Sequence, residues 1–184
     1  MRSEPVAFAV ALLLAAAAGG CAHTPVADSA VDWQTLPSRE LDFWQRLEQR
    51  PLATNHDALH AMFLLADGKD ERVSYRTRLA DARARGWVDA QADERTLPAN
   101  DAATIGLVSV ATCDLLEIAG GLTLRVLGRS PRYCTREIVY LGILPQRTPE
   151  QELRGLELVD LAGRIDDWRE HHGEDKESAT EGAP

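Results

Sequence analysis

Punctuation constrains this chain more than any motif does. Pro51, Gly68, Gly86, the pair Gly120-Gly121, Pro145 and Pro149 cut it into short lengths. Proline cannot continue a helix, and glycine readily takes the left-handed position that ends one. Between the breaks, apolar residues recur at intervals of three and four, the period of a helix with one buried face. The spacing predicts an all-α single domain, a bundle of about six helices.

The first predicted helix runs from Leu36 to Arg50, with Leu41, Trp44 and Leu47 on one face. The second starts at Thr54, where Thr54 and Asp57 make a capping-box-like pair ahead of Leu59, Met62, Phe63 and Ala66. Ser74 caps a third, with Tyr75, Leu79 and Ala82 inward and Trp87 closing its end after Gly86. A fourth opens at Asn100 or Asp101, runs to about Ile118 and presents Ala102, Ile105, Ser109, Thr112 and Leu116. Residues 122–127 read equally as a short helix or a strand. Ser130 and Pro131 open a helix to Leu144 that is apolar nearly all round and is the expected central core helix. The last carries the stripe Leu158, Leu161, Ala162, Ile165 and Trp168. No repeat is evident at a fixed period.

Ahead of these helices, Val6 to Ala18 is an unbroken apolar run of 13 residues. A bilayer span needs about 20. With Arg2 before it and small residues after it, the run has the form of a secretory signal. Ala18-Gly19-Gly20-Cys21 resembles the bacterial lipobox, in which small residues precede a cysteine that becomes the lipidated first residue of the mature chain. The resemblance implies a lipoprotein signal peptide at 1–20 and acyl chains on Cys21. Two or more chains, at about 0.8 kcal/mol per buried CH₂, hold a protein on a membrane that it does not span. Ala22 then favours the outer membrane, with the protein facing the periplasm or the cell surface. An ordinary signal peptide cut after Ala18 or Gly20 is the plainer alternative. Residues 21–32 read as a lipidated tether and 33–170 as the helical domain. Residues 171–184 are charged, lack apolar anchors and read as a disordered acidic tail.

Removal of residues 1–20 leaves 164, enough for a real core. The formal charge of −9, together with export, argues against a nucleic-acid partner. Export also permits a disulfide. Cys113 and Cys134 lie on or beside predicted apolar faces, and either bond to each other or stay as buried thiols.

His56-Asp57-Ala58-Leu59-His60 puts two imidazoles on one side of a helix. It resembles the zinc-protease HExxH motif, with Asp57 in the place of the general-base glutamate. A catalytic zinc needs three protein ligands, and no third is evident, so the plainer reading is a helix start bearing two histidines. Arg125, Arg129, Arg132 and Arg136 fall in a stretch, Ile118 to Arg136, that holds no acidic residue. Guanidinium groups bind phosphate and carboxylate in bidentate fashion. The patch is therefore a candidate contact for a wall polymer, a lipid headgroup or an acidic partner, against the plainer reading of internal ion pairs. By contrast, Arg72, Arg76, Arg78, Arg83 and Arg85 are interleaved with Asp70, Glu71 and Asp81 and read as a solvated helix face.

Leu79 to Trp87, the loop containing Pro98, and the helix from Thr104 to Leu116 together resemble one S-layer-homology unit. Thr135-Arg136-Glu137 echoes that family's Thr-Arg-x-Glu signature in a second unit. Ile105 stands where the first unit would carry arginine, and Ile138 where the second would carry an acid. The resemblance implies binding of cell-wall polysaccharide and carries over to Arg136 alone. No nucleophile elbow, phosphate loop or dinucleotide fingerprint occurs. The function expected is non-catalytic and needs no cofactor: an envelope protein that binds a partner protein or a cell-wall polymer. The alternative is a metal-dependent hydrolase built on His56 and His60.

Overall fold

A computed structural model describes residues 24–31, 39–118, 120 and 128–181. Cys21 and the signal peptide, Arg125 and residues 122–127 lie outside the described residues. The chain forms α1 (Arg39–Glu48), α2 (Asn55–Asp67), α3 (Tyr75–Ala84), α4 (Ile105–Leu115), α5 (Pro131–Tyr140) and α6 (Gly155–Glu181). Isolated bridges at Pro25–Asp101, Thr54–Ala102 and Thr104–Glu152 are the only β pairing among the described residues. The domain is all-α.

Local chemistry sets the helix starts. Thr54 accepts from the Asp57 N–H, and Asp57 accepts from the Thr54 N–H, a complete capping box. Ser74 and Thr77 repeat it at α3. Thr104 caps α4, and Ser130 caps α5 with Pro131 in the first turn. Gly68, at φ 70°, takes the left-handed position after α2.

The starts of α2, α4 and α6 are joined in a ring. The Ala53 N–H donates to Leu153 O (2.8 Å), Leu153 to Ala103 O (2.8 Å), and Ala103 to Ala53 O (2.9 Å). Residues 53, 103 and 153 are each 50 apart and fully buried. A second set lies outside the first: Asn55 to Asp101 O, Ile105 to Gln151 O and Gly155 to Arg50 O. The backbone thus carries a pseudo-threefold repeat that the side chains conceal. Extended segments entering three helix starts satisfy one another's polar groups, as a buried backbone requires.

An outer helix accompanies each central one. Along α3, Tyr75 lies at His56, Arg78 at His60 and Arg85 at Asp67, so α3 runs in the direction of α2. Pro131 sits against Gly106 and Thr135 against Ser109, so α5 likewise follows α4. The outer helix for α6 is α1, from the other end of the chain. Their contact needs Gly155, because a Cβ there would stand 1.8 Å from Leu47 O.

The most enclosed helix is α4, where every residue from Ile105 to Cys113 is buried. Among the described residues of α5, only Cys134, Thr135 and Ile138 are buried, and Tyr140 is 83% exposed. The sequence pointed to the other helix as central. Small residues decide the matter: Gly106, Ser109, Ala111 and Thr112 admit close neighbours. Ser109 and Thr112 satisfy their hydroxyls on Ile105 O and Val108 O, both at 2.7 Å. On α1 the buried pair is Phe43 and Leu47, while Leu41 is 61% exposed.

Two boundaries move. Residues 24–31 were expected as tether, yet they lie on the domain. Val26 N–H donates to Asn100 O and Ala102 N–H to Thr24 O, both at 2.9 Å. Val31 N–H donates to Asp57 Oδ1 at 2.8 Å. The Arg50 guanidinium donates to Ser29 O and Asp28 O, each at 2.7 Å. The expected tail at 171–184 is helical as far as Glu181. Adding residues to a helix already anchored by packing costs little, and no proline intervenes before Pro184.

Candidate functional site

The two histidines singled out above do meet, but around an arginine. Asp70, on the return loop between α2 and α3, accepts on Oδ2 from His60 Nδ1 (2.6 Å) and Arg78 Nε (2.5 Å). Its Oδ1 accepts from the Arg72 N–H (3.1 Å) and Arg72 Nη1 (3.2 Å). Arg78 Nη1 donates to His56 Nε2. Arg78 is 1% exposed and His60 3%. Arg72 also lies over the Phe63 ring, 3.6 Å from its centroid.

The electrostatics follow from this geometry. Burial, then Arg78, lowers His56 from 6.5 to about 4. Burial also lowers His60, and the hydrogen bond to Asp70 opposes it. Burial pushes the Asp70 carboxyl up, but hydrogen bonds from His60 and Arg78 prevail and hold it well below the carboxylate range. An ionised Asp70 is therefore matched to a buried Arg78, flanked by neutral imidazoles.

A metal site would need what this cluster has already used. The Arg78 cation sits where a metal bound between the imidazoles would go, and like charges exclude each other. Asp57 is held as the acceptor for the Thr54 and Val31 N–H groups. Among the described residues no group of three or more His, Cys, Asp or Glu is placed to hold a metal ion.

Arg78 is also a correction to the sequence reading, which left it on a solvated face. It lies inward with Tyr75, Leu79 and Ala82. Helical spacing carried that signal: position 78 is three residues from Tyr75 and four from Ala82. Its partner Asp70 had no such signal, because a loop has no period.

Cys113 and Cys134 face each other where α4 crosses α5, both fully buried and both thiols, with Cys113 Sγ 3.9 Å from Cys134 O. The hydrogen bond with Cys134, then burial, pushes the Cys113 thiol up.

The arginine patch comes apart in part. Arg129 pairs with Asp114. Arg132 and Arg136 are exposed on α5 and form no ion pair among the described residues. Tyr140 continues them at the same interval of four, giving an exposed stripe Arg132, Arg136, Tyr140. Sequence reasoning missed Tyr140 by placing its helix at the centre of the core. Thr135 and Arg136 stand inside α5, and the Thr135 hydroxyl donates to Ser109 Oγ at 3.0 Å. The residues that stand just before the ring-joined helices are Thr54, Thr104 and Arg154.

No protein-family model matches the chain, and neither a curated protein nor a solved structure does.

Proposed function

We propose that the protein is a lipid-anchored, non-catalytic binding module of the cell envelope, and that α5 presents the contact surface for an acidic cell-wall polymer. The observation behind this reading is the stripe Arg132, Arg136 and Tyr140. Two guanidinium groups one helical turn apart suit carboxylate or phosphate groups on a chain. The Tyr140 ring adds a flat apolar face for a sugar ring. Arg132 lies in the first turn of α5, where the helix dipole favours an anion. The envelope location rests on the resemblance of Ala18-Gly19-Gly20-Cys21 to a lipobox.

Two experiments test it. The full chain in detergent is co-sedimented with purified cell-wall sacculi at low and high salt. Binding is expected at low salt, weakened at least tenfold at high salt and lost in Arg132→Ala/Arg136→Ala. An absence of binding at low salt rejects the wall polymer and leaves a partner protein. Separately, labelled palmitate is expected in the native protein and absent from Cys21→Ser, and equal labelling would reject the anchor.

A further inference from the structure

The lipid anchor proposed above has a geometric consequence once the path of residues 24–31 is known. A tether running from Cys21 to the first helix would let the domain turn freely. Instead Thr24 is already bonded to the domain through Ala102, beside the ring that joins the starts of α2, α4 and α6. Three peptide steps separate Cys21 from Thr24, a reach of about 10 Å at full extension. The entering chain is secured along its length. Val26 is held by Asn100, residues 28 and 29 by Arg50, and Val31 by Asp57, the capping-box partner of Thr54 at the start of α2.

We infer that the ring end of the bundle faces the membrane at close range, and that α2, α4 and α6 point their C-terminal ends away from it. This inference rests on acylation at Cys21. Along α6 the fifteen residue steps from Gly155 to Glu170 rise about 22 Å, which lifts the far end clear of the lipid headgroups. The stripe on α5 runs the same way, from Arg132 near the ring to Tyr140 farther out, and so stands along the membrane normal. Charge does not create the arrangement. The exposed side chains around the ring include Asp28, Glu150 and Glu152 beside Arg154, a set acidic on balance that an anionic bilayer repels. The short leash does, so the orientation persists at high salt, where electrostatic docking would be screened.

The test uses the acylated full chain on vesicles, with a fluorophore at Glu150→Cys beside the ring or at Glu170→Cys on α6. Both positions are exposed, and the native Cys113 and Cys134 are buried. A quencher attached to lipid headgroups is expected to quench the probe at 150 at least twofold more than the probe at 170, at low and high salt alike. Insertion of twelve Gly/Ser residues after His23 should remove the difference while the protein still floats with vesicles. Equal or reversed quenching in floating protein overturns the orientation and leaves the anchor standing. A chain that fails to float overturns both. A difference that survives the insertion overturns the leash as its cause.

Discussion

The Ala103 N–H donates to the Ala53 carbonyl at 2.9 Å across 50 residues of chain, and Leu153 makes the same bond to Ala103. Because Ala53 in turn donates to Leu153, these three bonds close on themselves, and three helices start from one ring. The outer helix packed against α6 is α1, from the other end of the domain. The two ends of the domain are thereby locked together, with Leu47 O against Gly155.

That contact gives the sharpest stability prediction. Gly155→Ala drives a Cβ into Leu47 O, at 1.8 Å, with Arg50 O at 3.0 Å. A backbone cannot move aside as a side chain does, so the cost is expected at about 3 kcal/mol or more. Gly163→Ala, on the same helix with nothing within 4 Å, should stabilise by about 0.5–1 kcal/mol. Urea denaturation of the two variants checks the contrast.

Removing Arg78 should be nearly as damaging. Arg78→Met leaves the buried Asp70 carboxylate without its main cation, a change that costs about 3–5 kcal/mol. Arg76→Ala, which removes only an exposed pair with Glu94, should leave the melting temperature essentially unchanged. Equal effects in thermal melts would mean that the Asp70 cluster does not anchor α3 to α2.

Stability should fall in mild acid. The fold holds His56 and His60 neutral, so the unfolded chain takes up their protons at higher pH than the folded one does. Stability is full above pH 6.5 and declines as pH falls toward about 4, the folded value for His56. His56→Gln keeps an acceptor for Arg78 and removes one titration. It should flatten this decline by about 1 kcal/mol, allowing for the partial exposure of His56. Asp70 acts in a lower window. Its folded value is depressed, so the stability it contributes is present above 3.8 and lost below. Urea midpoints at a series of pH values would separate the two.

The cysteines should be unreactive in the folded protein. Both are fully buried, and the Cys113 thiol is pushed up by its neighbour and by burial. Iodoacetamide is expected to leave both unmodified in the native state and to alkylate both after unfolding without reductant. Mass spectrometry that found neither modified even after unfolding would instead show a disulfide joining α4 and α5.

Much of the local structure was legible in the sequence. Thr54 with Asp57, Ser74 and Ser130 with Pro131 announced three helix starts, and Gly68 and Gly86 announced two ends, because caps depend on residues close in the chain. The buried stripes of α2, α3 and α6 followed from the same local period. The sequence was weaker wherever an outcome depended on a distant neighbour. It put α5 at the centre because its apolar residues are large, whereas α4 is central because its small residues let other elements approach. It found His56 and His60 and missed what they hold, since Asp70 comes from a loop.

By itself, then, the sequence determined the all-α class, the starts of α2, α3 and α5 and most of the inward faces, whereas α4, expected to open at Asn100 or Asp101, is capped by Thr104. These arise from interactions within a few residues, which a linear pattern records. The tertiary structure alone decided the ring of residues 53, 103 and 153, the pairing of α1 with α6, the buried Arg78 and the path of residues 24–31. The ring is made by backbone groups, which every residue carries. Ala, Ala and Leu can therefore occupy equivalent places, and a 50-residue repeat exists in space with almost no trace in the side chains.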